Sequence, residues 1–314
     1  MELDFIVSDQ TEPYWNIAVE QYLVEYARCV TLYLWKNRRT VVIGQNQNPY
    51  SEVDIEALEA EGGYLMRRRT GGGAVYHDEG NLNFSFVVPK NLYDQTRQFA
   101  VIQRAVESFG LHTELSGRND ILAEGRKFSG NAFSKGRIND LHHGTLLIDG
   151  NMDELQHYLR PKPAKLLKHG VQSVRSRVVN LSGLNPAITT ESIVPALRKA
   201  FESEYSEDSE YSEYSDILRL PQVQHLHDSF ASAEWKYGHW KTFTAQRRGQ
   251  FDWGEVEVAL TVDDGIVSDV QIASDTIDVD AVTSVKKLLL GSNANSRPAS
   301  VGNKVVDDIL SLIS

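Results

Sequence analysis

Two stretches carry residue types whose spacing suits chemistry on an anion. Residues 67–78 read RRRTGGGAVYHD, and residues 125–133 read GRKFSGNAF. Gly71, Gly72 and Gly73 follow the short apolar run Tyr64-Leu65-Met66 and precede a strand-like run at 83–88. Glycines in such a bend allow positive φ and bring the backbone close to a ligand. Successive amide N–H groups there form a concavity suited to an anion. Arg69 adds a planar fork of donors that matches phosphate or carboxylate. In the second stretch, alternation sets Lys127, Ser129 and Asn131 on one face of a strand, with Phe128 and Phe133 on the other side or at its end. The small Ser129 and Gly130 leave room for a ligand beside Lys127, which would act as a compact point charge. Taken alone, three glycines are equally compatible with a hairpin loop next to a solvated basic patch.

These stretches need elements to hold them. Residues 15–27 have a broad apolar face at helical spacing. Residues 31–35 and 40–44 are β-rich runs that read as a hairpin across Lys36-Asn37-Arg38-Arg39. A helix is expected at 51–61, ending at Gly62-Gly63. The next runs to 109, where Phe99, Ile102, Val106 and Phe109 mark its face and Gly110 its end. Residues 121–123 and 141–149 read as strands, and 152–159 and 190–204 as helices. The acidic stretch at 203–215, SEYSEDSEYSEYS, reads as a solvated helix end or loop, and 221–232 as a linker. Beyond it, strand-like runs at 242–245, 255–262 and 266–272 surround a turn at Asp263-Asp264-Gly265. Helices at 279–290 and 301–313 complete a small unit. The class is α+β: a large mixed-sheet domain over 1–225 and a small α+β C-terminal domain over 235–314.

Several other polar residues have two readings. Asp120, in Gly117-Arg118-Asn119-Asp120, caps a turn or holds Mg²⁺ or a phosphate-neighbouring lysine. Asn81 and Asn83 satisfy turn backbone or face a ligand. His143 is a core or supporting histidine rather than a ligand contact on base rates. Trp35 is ordinary core or one wall of an apolar pocket. No HExxH or CxxC spacing occurs, and no Ser–His–Asp set is evident.

Composition narrows the class further. The 314 residues are 41% hydrophobic and 24% charged, as in soluble globular proteins. No apolar run approaches the roughly 18 residues of a membrane span, and MELDFIVSDQ lacks the basic start of a signal peptide. A net charge of −11 argues against a general nucleic-acid binder. The charge is uneven: residues 118–180 hold eleven Lys or Arg against six Asp or Glu, whereas 202–216 hold seven acidic residues and no basic one. These are solvated faces, or a basic rim for phosphates and an acidic patch for a protein partner. The single cysteine, Cys29, excludes an intrachain disulfide, fits a cytoplasmic setting, and reads as a buried small hydrophobe.

Trp35, VVIGQNQNP at 41–49, RRRTGGGAVYHDEGNLNFSF at 67–86, RND at 118–120, RKFSGNAF at 126–133 and HHGTLL at 142–147 occur in one order. In this order the chain resembles the lipoate–protein ligase family over nearly its whole length. The tail from Trp235 is similar to that family's small C-terminal domain, and KHGVQSVRSRVVNL at 168–181 to another of its stretches, assigned to structure or to carrier contact. The resemblance implies a catalytic domain of the biotin/lipoate ligase type. It implies ATP-dependent attachment of lipoate to a lysine ε-amine of a lipoyl carrier, through a lipoyl-adenylate, with ATP and Mg²⁺ required.

By the same resemblance Lys127 is the essential lysine. Arg69 and the amides of Gly72, Gly73 and Ala74 hold phosphate, and Val75, Tyr76 and His77 lie along the adenosine. Asn83 approaches the nucleotide, Asp120 holds Mg²⁺ or Lys127, His143 and Gly144 belong to the site, and Trp35 lines the acyl pocket. The implied carriers are lipoyl domains of 2-oxoacid dehydrogenase acyltransferase subunits and the glycine-cleavage H protein, with no nucleic acid and no membrane. An ATP-independent octanoyl or lipoyl transferase on the same fold is the alternative. Biotin ligase and a non-catalytic lipoate carrier are more distant ones.

Overall fold

The computed structural model describes residues 2–117, 119–159, 178–205, 209–211, 214–237, 245–263, 266–293 and 299–313. Expectations that rest on Arg118, on residues 160–177, on 242–244 or on the turn at 264–265 lie outside them.

The strands are β1 (Leu3–Val7), β2 (Val30–Lys36), β3 (Thr40–Ile43), β4 (Tyr64–Arg67), β5 (Val75–His77), β6 (Asn81–Pro89), β7 (Thr113–Ser116), β8 (Asp120–Ala123), β9 (Arg126–Lys135), β10 (Asn139–Leu147), β11 (Ser209–Tyr211), β12 (Ala245–Phe251), β13 (Gly254–Asp263) and β14 (Ile266–Ser274). Eight of them form one mixed sheet in the order β11-β1-β2-β6-β10-β9-β8-β7. β1 runs parallel to β2 and β11, and the other pairs are antiparallel.

The helices are α1 (Pro13–Tyr26), α2 (Pro49–Glu52), α3 (Ile55–Ala60), α4 (Gln95–Glu107), α5 (Met152–Tyr158), α6 (Ile193–Tyr205), α7 (Tyr214–Leu218), α8 (Pro221–Ala231), α9 (Ala233–Tyr237), α10 (Val279–Leu289) and α11 (Lys304–Ser311). Alternation along β6 explains the layering. Leu82, Phe84, Phe86 and Val88 enter a core shared with α4 and α6. Val87 enters a second core on the opposite face, shared with α1 and α8. A small sheet, β4-β3-β5, has its own apolar cluster with α3 and α5. The C-terminal sheet β12-β13-β14 buries one face against α10 and α11.

Four local expectations are corrected. β2 and β3 are not a hairpin: β2 pairs with β1 and β6, and β3 with β4 and β5. Nearly every residue of both strands is buried, so each needs partners on both edges. The turn between them leaves one sheet for the other with Arg39 at φ 24. The helix at 51–61 is two short helices, because Asp54 caps α3 by accepting from the Ala57 amide. The acidic stretch contributes strand β11 rather than only a helix end or loop. Residues 221–232 are not a linker: α8 packs along α1 with Val223 and Phe230 buried. Chain that docks on the large unit runs on through Trp235, whose indole N–H donates to the Arg67 carbonyl at 2.8 Å.

Candidate functional site

The glycine loop leaves β4 at Arg67 and enters β5 at Val75. Its three arginines have separate jobs. Arg67 is buried and donates to the carbonyls of Gly44, Gln45, Gln47, Trp235 and Lys236 at 2.7–3.3 Å. Arg68 is buried and donates to Thr70 Oγ1 and to the carbonyls of Val42, Gly71 and Gly73. Burial lowers both guanidinium pKa values to about 10, with the Glu20 charge opposing this at Arg68. Arg69 is exposed. It lies over the rings of Phe230 and Trp235, 5.5 and 5.4 Å from their centroids, and no described residue gives it an ion pair or hydrogen bond. The first two cations shape the loop and the third faces solvent.

The loop backbone is crowded on one side and open on the other. Gly72 has φ 95, and a Cβ on Gly44 would stand 2.2 Å from the Gly72 carbonyl oxygen. A Cβ on Gly71 would meet the Thr276 carbonyl at 2.2 Å, whereas one on Gly73 would meet nothing within 4 Å. The Gly72 amide, expected to face an anion, instead donates to the Thr276 carbonyl at 2.9 Å. The C-terminal unit therefore rests on the loop, and that amide reaches an anion only once Thr276 moves.

A buried polar line anchors the loop from below. Thr70 Oγ1 lies 2.8 Å from His143 Nε2, and His143 Nδ1 lies 2.8 Å from Glu20 Oε2. Ser85 donates to the same Glu20 oxygen, and Trp35 Nε1 donates to Ser85 Oγ at 3.0 Å. The sequence offered no hydroxyl–imidazole–carboxylate set, yet Thr70, His143 and Glu20 form one. With Thr70 fully buried and accepting from Arg68, the set positions the loop. Both ring nitrogens of His143 are engaged in this line. Glu20 was missed because mid-helix glutamates are usually solvated. The available signal was Asn16 and Glu20, four apart among the apolar residues of α1.

Around this line, Trp35 is buried with its ring 6.2 Å from that of His77. Asn83 is buried, accepts from Asn81 and donates to the Trp35 carbonyl. His77 Nδ1 faces the Asn37 amide at 3.3 Å, while its buried Nε2 has no partner among the described residues. Burial lowers the His77 pKa to about 3, helped by Arg68 and His143, so the ring is neutral. Val75 and Ala74 are half-buried. The Tyr76 ring turns away from the loop, packing near Tyr158 with its hydroxyl on Glu154. It offers no side-chain contact toward the loop.

Lys127 Nζ stands 2.7 Å from Asp120 Oδ1, both side chains about one-third exposed. The expected shared face of Lys127, Ser129 and Asn131 is broken by a bulge. Ile121 pairs with Ser129 but Leu122 pairs with Lys127, leaving Phe128 as the extra residue. Ser129 and Phe128 turn into the core and Lys127 joins the face of Asp120. The space over Gly130 is used by the lysine itself: a Cβ there would lie 3.1 Å from Lys127 Nζ. β10 ties this strand to the loop. His143 bonds Thr70, and two residues on Thr145 accepts from the Gly130 amide at 3.2 Å. Gly144 between them has no room for a side chain, since its Cβ would come within 2.6 Å of Asn131 Oδ1.

Residues 12–202 match the family described as lipoyl protein ligase A/B catalytic domain, and residues 241–298 that described as bacterial lipoate protein ligase C-terminus. The chain is 38% identical over 299 residues to the lipoate-protein ligase A of Psychrobacter cryohalolentis, spanning 92% of this chain and 88% of that one. The crystal structure of P. falciparum LipL1 in complex with lipoate superposes with a TM-score of 0.86 at 29% identity, over 99% of both chains. A lipoate-protein ligase A bound with ATP gives 0.63 at 25% identity, over 76% of this chain and 99% of that one. A bi-partite lipoate protein ligase from Thermoplasma acidophilum, described with its E2 lipoyl domain, gives 0.66 at 25% identity, over 78% of this chain and all of that one. The catalytic-domain match alone covers more than half of the sequence, and the protein belongs to the lipoyl protein ligase A/B family.

Proposed function

We propose that the protein is an ATP-dependent lipoate–protein ligase. The observation that carries the reading is the pairing of a glycine loop, open at Gly73 and bordered by the exposed Arg69, with the Lys127 ammonium held by Asp120. Relatives named for this activity, and similar structures holding lipoate or ATP, support it.

A carboxylate does not acylate an amine at neutral pH, because oxide is a poor leaving group. Lipoate therefore attacks the α-phosphate of ATP and pyrophosphate leaves. The carrier lysine amine then attacks the mixed anhydride and AMP leaves. Both steps bring oxyanions together, so fixed positive charge is the main catalytic device. We assign it to Lys127, Arg69 and the amides of Gly72, Gly73 and Ala74. Val75 and His77 lie along the adenosine, with the buried His77 ring neutral. Tyr76 contributes backbone only. Asn83 approaches the nucleotide and Trp35 borders the acyl pocket, where burying the tail contributes roughly 0.8 kcal/mol per CH₂. His143 and Gly144 act through packing.

Among the described residues no three acidic or histidine side chains converge on a metal site. We assign Mg²⁺ chiefly to the nucleotide's phosphates, with Asp120 as the carboxylate that would meet it. Bound there it would offset phosphate charge. The carrier we assign is a lipoyl domain of an acyltransferase subunit, supported by the archaeal ligase described with its E2 lipoyl domain, or the H protein. Among the described residues no helix is long and apolar enough to cross a membrane, and we place the reaction in the cytoplasm. A cysteine-dependent transferase is disfavoured, because Cys29 lies past α1, half-buried, with its pKa raised by that burial.

The test is incubation with ATP, Mg²⁺, lipoate and a lipoyl domain, read by intact mass. The carrier gains one lipoyl group only when ATP is present. No modification from free lipoate and ATP, with acyl transfer to the domain from a lipoyl or octanoyl thioester donor in the absence of ATP, would assign the transferase activity instead.

A further inference from the structure

Lys127 and Asp120 form a partly exposed ion pair, which by itself orders a lysine poorly. A buried polar chain beneath them does the ordering. Its first member is His142 on β10, fully buried, with Nδ1 2.9 Å from Gln98 Oε1 on α4 and Nε2 2.9 Å from Asn131 Oδ1 on β9. Burial holds its pKa well below 6.5, so the ring has one N–H. The Asn131 amide is fixed by its other end, where Nδ2 donates to the Asn119 carbonyl at 3.0 Å and to Ser129 Oγ at 3.2 Å. The imidazole proton is therefore on Nε2 and points at Asn131 Oδ1. Nδ1 must then accept, so we turn the Gln98 amide over, exchanging Oε1 for the otherwise unpartnered Nε2 as the donor toward the ring.

The far end of the chain reaches the site. The Asn131 backbone N–H also donates to the Asn119 carbonyl, at 2.9 Å, and Asn119 Nδ2 returns a bond to the Asn131 carbonyl at 3.0 Å. Three hydrogen bonds thus pin Asn119, the residue before Asp120. The glycine at 144 belongs to this device, since any Cβ there would displace Asn131 Oδ1.

We propose that Asn131, braced by His142 and Gln98, is a positioning residue: it sets the Asn119–Asp120 backbone and through the Asp120 carboxylate aims the Lys127 ammonium. The proposal rests on the reading of Lys127 as the catalytic cation. Asn131 touches no reacting atom. It acts from the core side of β9, while Lys127 lies on the other face beyond the bulge. Misplacement of a charge by about 1 Å through such a residue costs up to about 100-fold in rate.

The experiment is a double-mutant cycle on the full chain, with kcat and KM of carrier lipoylation, lipoate affinity by calorimetry and thermal midpoint all measured. Asn131→Ala should lower kcat at least about tenfold and leave lipoate affinity within about twofold. In a Lys127→Ala background it should cost no more than about a further twofold, because the group it aims is gone. Asn119→Ala, which removes one half-exposed amide and leaves the core intact, should lower kcat about threefold to fivefold and serves if the Asn131 variant does not fold. Full kcat in both single variants, or losses that multiply with that of Lys127→Ala, would overturn the positioning role alone. A Lys127→Ala enzyme with normal activity would overturn the catalytic reading and the positioning role together.

Discussion

Asp120 Oδ1 lies 2.7 Å from Lys127 Nζ because an extra residue, Phe128, turns the lysine onto the aspartate's face of the β8–β9 pair. Strict alternation would have left Lys127 with Ser129 and Asn131 against the core. The charge is thus kept part-exposed on a strand whose next two residues are buried.

Lys127→Ala should lower kcat/KM for carrier lipoylation about 100-fold or more, or about 3 kcal/mol of transition-state stabilisation. Stability should change by no more than about 1 kcal/mol, since the ion pair is partly solvated. Steady-state kinetics with a denaturant melt checks both. Near-normal turnover would remove Lys127 from the mechanism.

The three arginines should separate by assay. Arg67→Ala and Arg68→Ala each strand several buried carbonyls and should destabilise by at least about 3 kcal/mol. Arg69→Ala should leave the melt within about 1 kcal/mol, the scale of the exposed cation–π contacts it loses, and should raise the KM for ATP about tenfold or more. Equal stability loss in all three would contradict the division of labour.

The glycines make a sharper comparison. Gly73→Ala meets open space and should fold normally, so any rise in the KM for ATP reports ligand approach. Gly71→Ala drives a Cβ into the Thr276 carbonyl and should detach the C-terminal unit from the loop. Hydrogen exchange at Gly72 should then quicken in the free protein, and lipoate with a non-hydrolysable ATP analogue should slow it again as phosphate replaces the Thr276 carbonyl. Unchanged Gly72 protection in both cases would show that the contact does not gate the loop.

Acid should destabilise the fold through two histidines. The native pKa of His77 is lowered to about 3 and that of His142 well below 6.5, both chiefly by burial. The unfolded chain therefore binds more protons than the native one at pH below about 6.5. Their stabilisation is complete above that value and is lost as pH falls, by on the order of 1.4 kcal/mol per pH unit for each. Chemical denaturation at pH about 8, 6.5 and 5 measures the slope. His77→Gln should reduce it by about one proton.

Much of this was legible in the sequence where local pattern decides structure. The helices at α1, α4, α6 and α10, the strands β6 and β10, and the glycine loop all follow from periodicity and turn residues. Pairing between sheets was not legible, because β2 and β3 read as neighbours until their buried faces demand separate partners. Nor was the bulge at Phe128, which changes the face of one residue without changing composition. Arg69 was read as the ligand-facing cation of the arginine run, but the burial of Arg67 and Arg68 among backbone carbonyls was not legible. Glu20, Asn119 and the supporting role of Asn131 stayed hidden because each acts through contacts 11 or more residues away in sequence.

The central claim is that this chain activates lipoate as an adenylate before any carrier arrives. Isotope exchange between pyrophosphate and ATP, measured with no carrier present, tests it most directly. The account predicts exchange that requires lipoate and Mg²⁺ and falls about 100-fold in Lys127→Ala. Efficient carrier lipoylation with no lipoate-dependent exchange would contradict it.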